Sequence, residues 1–212
     1  MRIENPIRAV IFDWGGVLMR TADAGFRSMW EARLGLRPGD ISRLVFESDD
    51  WRRAQLGQIG EDAVWANLGV RLNLAPETLA RLRRDFWAGD QLDGELVKLI
   101  RSLRPRIKTA LLSNFPASLR ALLAQHGLMD AFDVIVISGE QGLLKPDTRI
   151  YHLTAQRLGV LPAECLFVDD STENIHGARQ AGMQALYFAQ PDAAIAQLKR
   201  RTGTLLPRRR RS

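Results

Sequence analysis

The hydrophobic rhythm of the chain changes twice. Close to the N-terminus a short unbroken apolar run, Ala9 to Phe12, reads as a buried strand that stops on the carboxylate of Asp13 and, after Trp14, the glycine pair Gly15-Gly16. From about residue 21 to 92 apolar residues recur instead at helical spacing: Phe26, Met29, Trp30 and Leu34, then Ile41, Leu44 and Val45, then Val64, Trp65 and Leu68, then Leu79, Leu82, Phe86 and Trp87. Glycines and the Pro38-Gly39 pair punctuate this stretch, Pro76-Glu77 opens a helix, and no strand pattern stands out. The spacing predicts an all-helical insert of about four helices with antiparallel bundle packing. Trp30, Trp51, Trp65 and Trp87 all fall in it and are expected to build its core, with Trp87, near the return to the first rhythm, the one placed to line a pocket.

From residue 93 helix and strand alternate. Leu96, Leu99, Ile100 and Leu103 mark a helix, Ile107 to Leu112 a strand ending in Ser113-Asn114, and Leu119 to Leu123 a helix stopped by Gly127. Val134 to Ile137 is the next strand, followed by a loop with Lys145-Pro146 and a helix carrying Ile150, Leu153 and Leu158. Leu166 to Val168 is a strand ending in Asp169-Asp170, a helix runs from near Ser171 to Gly182, and Gln184 to Phe188 and Ala193 to Leu198 close the pattern. Near-continuous apolar strands alternating with helices imply a parallel sheet covered on both faces. The expected architecture is therefore α/β, a Rossmann-like open parallel sheet of about five strands flanked by helices, with an all-helical cap inserted after the first strand. In numbers, 1–20 and 93–200 form the core domain, 21–92 the cap, and 201–212 a basic, disordered tail.

Composition changes this picture little. Hydrophobic content of 46% and charged content of 25% are those of an ordinary globular protein, and no apolar run is long enough to span a membrane. The formal charge of +6 would suggest a nucleic-acid partner, but Lys199, Arg200, Arg201 and Arg208 to Arg211 account for more than all of it, leaving the body slightly negative. Nucleic acid is thus not the expected partner. Cys165 is the only cysteine and lies in an apolar run, which fits a buried small hydrophobe in a reducing cytoplasm.

The chemistry lies at the strand ends. In a parallel sheet they point one way, so Asp13, Ser113-Asn114, Lys145 and Asp169-Asp170 converge on one rim. Carboxylates gathered there repel one another unless a cation joins them, and an oxygen-only ligand set selects Mg²⁺. With Lys145, Ser113 and backbone N–H groups, the rim suits a dianionic phosphoryl group that Asp13 attacks, forming an aspartyl-phosphate which water then releases.

The stretches VIFDWGGVL, LLSN, GLLKPDTRIY and LFVDDSTENIHGARQAG, in this order and spacing, resemble the four signature motifs of the haloacid dehalogenase superfamily, in the branch of phosphohydrolases with a helical cap after the first strand. The resemblance covers nearly all of the chain except the arginine tail. It implies that Asp13 is the nucleophile and a Mg²⁺ ligand. Ser113 and the backbone amide of Asn114 hold the transferring phosphoryl group, and Lys145 neutralises nucleophile and phosphate together. Asp170 ligates the metal, with Asp169 a second or water-mediated ligand, Gly15 ligates through its carbonyl, and Asn174 steadies the acidic loop.

One position departs from that pattern. The family's phosphatases carry a second aspartate two residues after the nucleophile, to protonate the leaving group and activate water, and here the position is Gly15. General acid–base help of this kind is typically worth about 10²–10⁴-fold. Glu47, Asp49 and Asp50 are candidate substitutes if the cap folds over the site, with a solvated helix end as their plainer role, and His126, His152 and His176 read as surface or packing residues. The leading expectation is a Mg²⁺-dependent phosphatase of a small organic phosphomonoester, a sugar phosphate or similar. A catalytically weak phosphate-ester-binding protein comes next. Last is a 2-haloacid dehalogenase, against which Asp169-Asp170 count because such enzymes work without a metal.

Overall fold

The computed structural model describes residues 6–204. β1 (Ala9–Phe12) is followed by β2 (Met19–Thr21) and five helices, α1 (Gly25–Leu34), α2 (Asp40–Phe46), α3 (Asp49–Gln55), α4 (Glu61–Arg71) and α5 (Pro76–Ala88). β3 (Asp90–Leu92) then leads into α6 (Gly94–Leu103), β4 (Lys108–Ser113), α7 (Leu119–Gln125), β5 (Val134–Ile137), the short α8 (Ser138–Gln141), and α9 (Thr148–Leu158). β6 (Cys165–Asp169), α10 (Thr172–Gln180), β7 (Gln184–Tyr187) and α11 (Pro191–Arg201) complete the order.

Five strands form one parallel sheet in the order β5-β4-β1-β6-β7, which puts β1 in the middle. Phe12 pairs with Leu111 on one side and Val168 on the other, so Asp13, one step further on, comes level with the ends of β4 and β6. Alternate residues of each strand face opposite ways. Val10, Phe12, Leu111 and Val168 join α6 and α7 through Leu96, Ile100, Leu119 and Leu123 in one core. Ile11, Leu112, Val136 and Phe167 join α9 and α10 through Ile150, Tyr151, Leu158 and Ile175 in the other. Fully burying an aliphatic side chain such as Ile100 is worth about 1.5–3 kcal/mol, so the central strands, packed on both faces, are the best-anchored part of the fold.

The helices α1 to α5 carry a core of their own, built from Trp30, Ile41, Trp51, Trp65, Leu82 and Phe86. Two details differ from the sequence expectation. The segment holds five helices where about four are expected, because α2 and α3 are separated by a turn at which Ser48 caps α3, its Oγ accepting from the Trp51 N–H at 3.0 Å. It is also bounded by strands: β2 and β3 pair antiparallel, with Thr21 opposite Asp90. Strands of three residues have too few positions to show an alternation. At the other end α11 continues to Arg201, so Lys199, Arg200 and Arg201 form its last turn, where cations suit the helix dipole. The expected tail therefore does not begin at 201, and Arg208 to Arg211 lie outside the described residues. Cys165 is buried, as expected. Among the described residues no helix is long and apolar enough to cross a membrane.

Candidate active site

The strand ends bring Asp13, Gly15, Ser113, Asn114, Lys145 and Asn174 to the wall of one cavity of about 570 Å³. Asp13 is nearly buried, and its Oδ1 accepts from the Trp14 N–H at 2.7 Å and lies 2.8 Å from Lys145 Nζ. Its Oδ2 accepts no hydrogen bond from the described residues. Ser113, at the tip of β4, is buried except toward the cavity, and its hydroxyl likewise has no protein partner among the described residues.

Lys145 is held at both ends. Its backbone N–H donates to Asn114 Oδ1 at 2.8 Å, and Asn114 Nδ2 donates to its carbonyl at 2.9 Å, so the loop before α9 is tied to the loop after β4. Its Nζ bridges Asp13 and Asp169, donating to Asp169 Oδ2 at 2.7 Å. Burial alone would lower the lysine's pKa, but the two carboxylates outweigh it and the net direction is upward, which makes Lys145 a fixed cation. Asp169 is fully buried and spends both oxygens on protein: Oδ1 accepts from the Ser171 N–H at 2.7 Å, and Asn174 Nδ2 lies 3.1 Å from each oxygen. Asp170, by contrast, is exposed.

One oxygen from each of Asp13, Asp169 and Asp170 can be chosen so that all three lie within 4.8 Å of one another. Oxygens sharing an octahedral shell at about 2.1 Å from Mg²⁺ stand about 3–4 Å apart, so the cluster fits that ion with little adjustment. Its charge fits too, since three carboxylates face a single ammonium. Burial raises Asp13 from its ordinary 3.8 to about 7, against the pull of Lys145 and with a further push from Asp169. Burial, and then Asp169, also raise Asp170.

These shifts bear on stability. An acid that holds its proton to about pH 7 when folded and to 3.8 when unfolded makes the metal-free protein lose stability as pH rises between those values. A divalent cation that binds the ionised carboxylates opposes the loss. The rise in melting temperature on adding Mg²⁺ is therefore expected to be larger at about pH 8 than at about pH 5. Equal shifts at both values would count against a metal at these carboxylates.

The two glycines after Asp13 differ. Gly16 has φ +73°, and a Cβ there would lie 1.9 Å from Asp170 Oδ2, so this glycine lets the acidic loop approach β1. Gly15 has no positive φ, and a Cβ there would meet nothing within 4 Å.

Sequence spacing announces little of the far wall of the cavity. It includes Arg20, Arg27, Phe46, Gln55, Asp90 and Phe115, together with Trp51 and the expected Trp87. Arg27 Nη2 forks onto Asp90 at 2.9 and 3.0 Å, and Gln55 Nε2 donates to the Asn114 carbonyl at 2.8 Å, joining α3 to the loop after β4. Glu47, Asp49 and Asp50 do not line the cavity; Asp50 faces Arg53 and Asn67. None of the three histidines lines it either: His126 packs tilted against Trp14 with ring centroids 6.4 Å apart, His152 contacts the Thr148 carbonyl and His176 contacts Gln180.

Residues 7–182 match the family model described as haloacid dehalogenase-like hydrolase. Phosphatase MT3486 of Mycobacterium tuberculosis is 35% identical over 199 residues, covering 84% of this chain and 86% of the relative. The (S)-2-haloacid dehalogenase of Xanthobacter autotrophicus is 34% identical over 218 residues, covering 95% and 82%. A wild-type HAD family enzyme of Bacteroides thetaiotaomicron, crystallised with magnesium and inorganic phosphate, is similar with a TM-score of 0.69 at 18% identity over 85% of this chain and 93% of that one, a likeness of fold.

Proposed function

Because the chain belongs to the haloacid dehalogenase-like hydrolases, we propose that it is a Mg²⁺-dependent phosphatase of a small organic phosphomonoester. The observation that carries this reading is the rim itself, where Lys145 bridges Asp13 and Asp169 while Asp170 completes a cation-sized cluster of carboxylate oxygens. The residues assigned to Mg²⁺ are Asp13, Asp170 and the Gly15 carbonyl. Asp169, whose oxygens are engaged by Lys145, Asn174 and the Ser171 N–H, would serve the ion as a second or water-mediated ligand and chiefly position the lysine. When bound, the ion supplies charge neutralisation at the phosphoryl oxygens.

The protein's own groups do the rest. Asp13, oriented by the Trp14 N–H and Lys145, attacks phosphorus; its new P–O bond forms as the ester P–O bond breaks, and the alcohol leaves as its anion. Ser113 Oγ and the Asn114 N–H hold the phosphoryl oxygens, and Lys145 offsets their charge. Water then attacks the aspartyl-phosphate, giving inorganic phosphate and free Asp13, and its proton goes to the departed alkoxide. The helices α1 to α5, acting as a cap, present the wall that meets the leaving group.

Phosphate release that requires Mg²⁺ and is lost on chelation tests the reading; no release from any phosphate ester, with tight binding retained, would favour a binding protein. The similarity to the Xanthobacter dehalogenase supports a second reading, in which Asp13 attacks carbon. Chloride release from a 2-chloroalkanoate that persists on chelation would establish it.

Gly15 allows a sharper test. Since a side chain there has space and an ordinary φ, Gly15→Asp is expected to fold and to raise kcat on alkyl phosphates, up to about 10²-fold or more, with a smaller effect on acetyl phosphate. A uniform change across leaving groups would contradict the missing-acid argument.

A further inference from the structure

Resting on the phosphatase reading, we propose that the substrate is the phosphate monoester of a small phenol or other flat aromatic alcohol. Two independent observations meet in this class.

The first is the aromatic part of the wall of the cavity that Asp13 also lines. Phe115, from the loop after β4, sits edge-on to Trp51 with centroids 5.3 Å apart at 84°, and Trp87 is 6.0 Å from Phe115 and 6.3 Å from Trp51. Phe46 closes the group, 5.4 Å from Trp51 and 5.8 Å from Trp87. The polar side chains of the same wall each hold a protein partner, and Arg20 reaches out of the cavity to Asp93. Asp90 takes the Arg27 fork and the Thr21 hydroxyl at 2.6 Å, Arg27 Nε donates to the Phe86 carbonyl at 2.9 Å, and Gln55 is bound to Asn114. An aromatic ring can meet Phe46, Trp87 and Phe115 with its face and edge, whereas a sugar would turn several of its hydroxyls toward this apolar part of the wall.

The second is Gly15. Without an acid beside the leaving oxygen, the alcohol departs as its anion, and a phenol does so far more readily than an alkyl alcohol because its pKa is about 10. The cavity, about 570 Å³, has the size of an ordinary small-ligand site.

The test compares 1-naphthyl phosphate, glucose 1-phosphate and acetyl phosphate with the full chain and Mg²⁺. The expected result is a kcat/KM for 1-naphthyl phosphate about 100-fold above that for glucose 1-phosphate. Trp87→Leu should raise KM for 1-naphthyl phosphate about tenfold more than for acetyl phosphate, and Trp87→Phe should largely restore it. Equal kcat/KM for naphthyl and sugar esters, or equal KM changes for the naphthyl and acetyl substrates, would overturn the proposal. Calorimetric binding to Asp13→Asn separates it from the phosphatase reading. If no ester is hydrolysed by the native chain yet 1-naphthyl phosphate binds at least about tenfold more tightly than glucose 1-phosphate, ring recognition stands and the phosphatase reading fails. If phosphate is released but the two bind alike, the reverse holds.

Discussion

Asp13→Asn is expected to lower Mg²⁺-dependent phosphate release by about 10⁴-fold or more, the scale on which removal of a nucleophile acts. The fold should survive. An amide has the carboxylate's shape, and its oxygen can still accept from the Trp14 N–H and Lys145. The change also removes one of three clustered negative charges, whose burial already pushes Asp13 to about 7. The metal-free variant should therefore be at least as resistant to urea as the native chain above neutral pH, which denaturation curves in the presence of a chelator can check. Activity within tenfold of the native chain would show that Asp13 is not the nucleophile.

Lys145→Met should be damaging in both respects. Methionine keeps the apolar stem against Phe167, whose ring lies 5.3 Å from the ammonium, but it leaves Asp13 and Asp169 without their shared cation. Removing one partner of a buried ion pair costs about 3–5 kcal/mol, and here two carboxylates lose theirs. On the phosphatase reading the activity should fall as well, because the cation that bridges Asp13 and Asp169 is gone. Adding Asp13→Asn to Lys145→Met should recover part of the stability, so that the double variant costs less than the two single changes predict. A urea midpoint for Lys145→Met close to the native value would show that the bridge contributes little to folding.

The core half of this site was legible in the sequence because buried parallel strands are written as unbroken apolar runs, and Asp13, Ser113 and Asp169 stand where those runs stop. Lys145 was legible as a cation on the same rim, although not as the bridge between two carboxylates, which depends on how Asn114 clamps its loop. Of the cap half, only Trp87 was. Arg27 and Asp90 are joined across 63 positions of chain, and their pairing leaves no local pattern. Trp87, near the return to the sheet, was placed to line a pocket and does so, but nothing in the spacing says what Phe46 and Trp51 face. The acids Asp49 and Asp50 had the right chemistry, but in the first turn of α3 it is Trp51, and not they, that lines the cavity.

The strand order also divides the molecule by durability. Asp13, Ser113 and Asp169 rise from β1, β4 and β6, the three inner strands, whose residues Phe12, Leu111 and Val168 have no exposed surface. Backbone amides in such positions exchange with solvent only when the whole sheet opens. Apart from Phe115, the aromatic wall lies on the helical segment, which connects to that sheet through the chain at the β2-β3 pair and by side-chain ties such as Gln55 to Asn114. On the phosphatase reading, chemistry and selectivity thus occupy parts of unequal permanence: the groups proposed to handle the phosphoryl persist as long as the sheet does, while the cap surface proposed to meet the leaving group can loosen and exchange ahead of them.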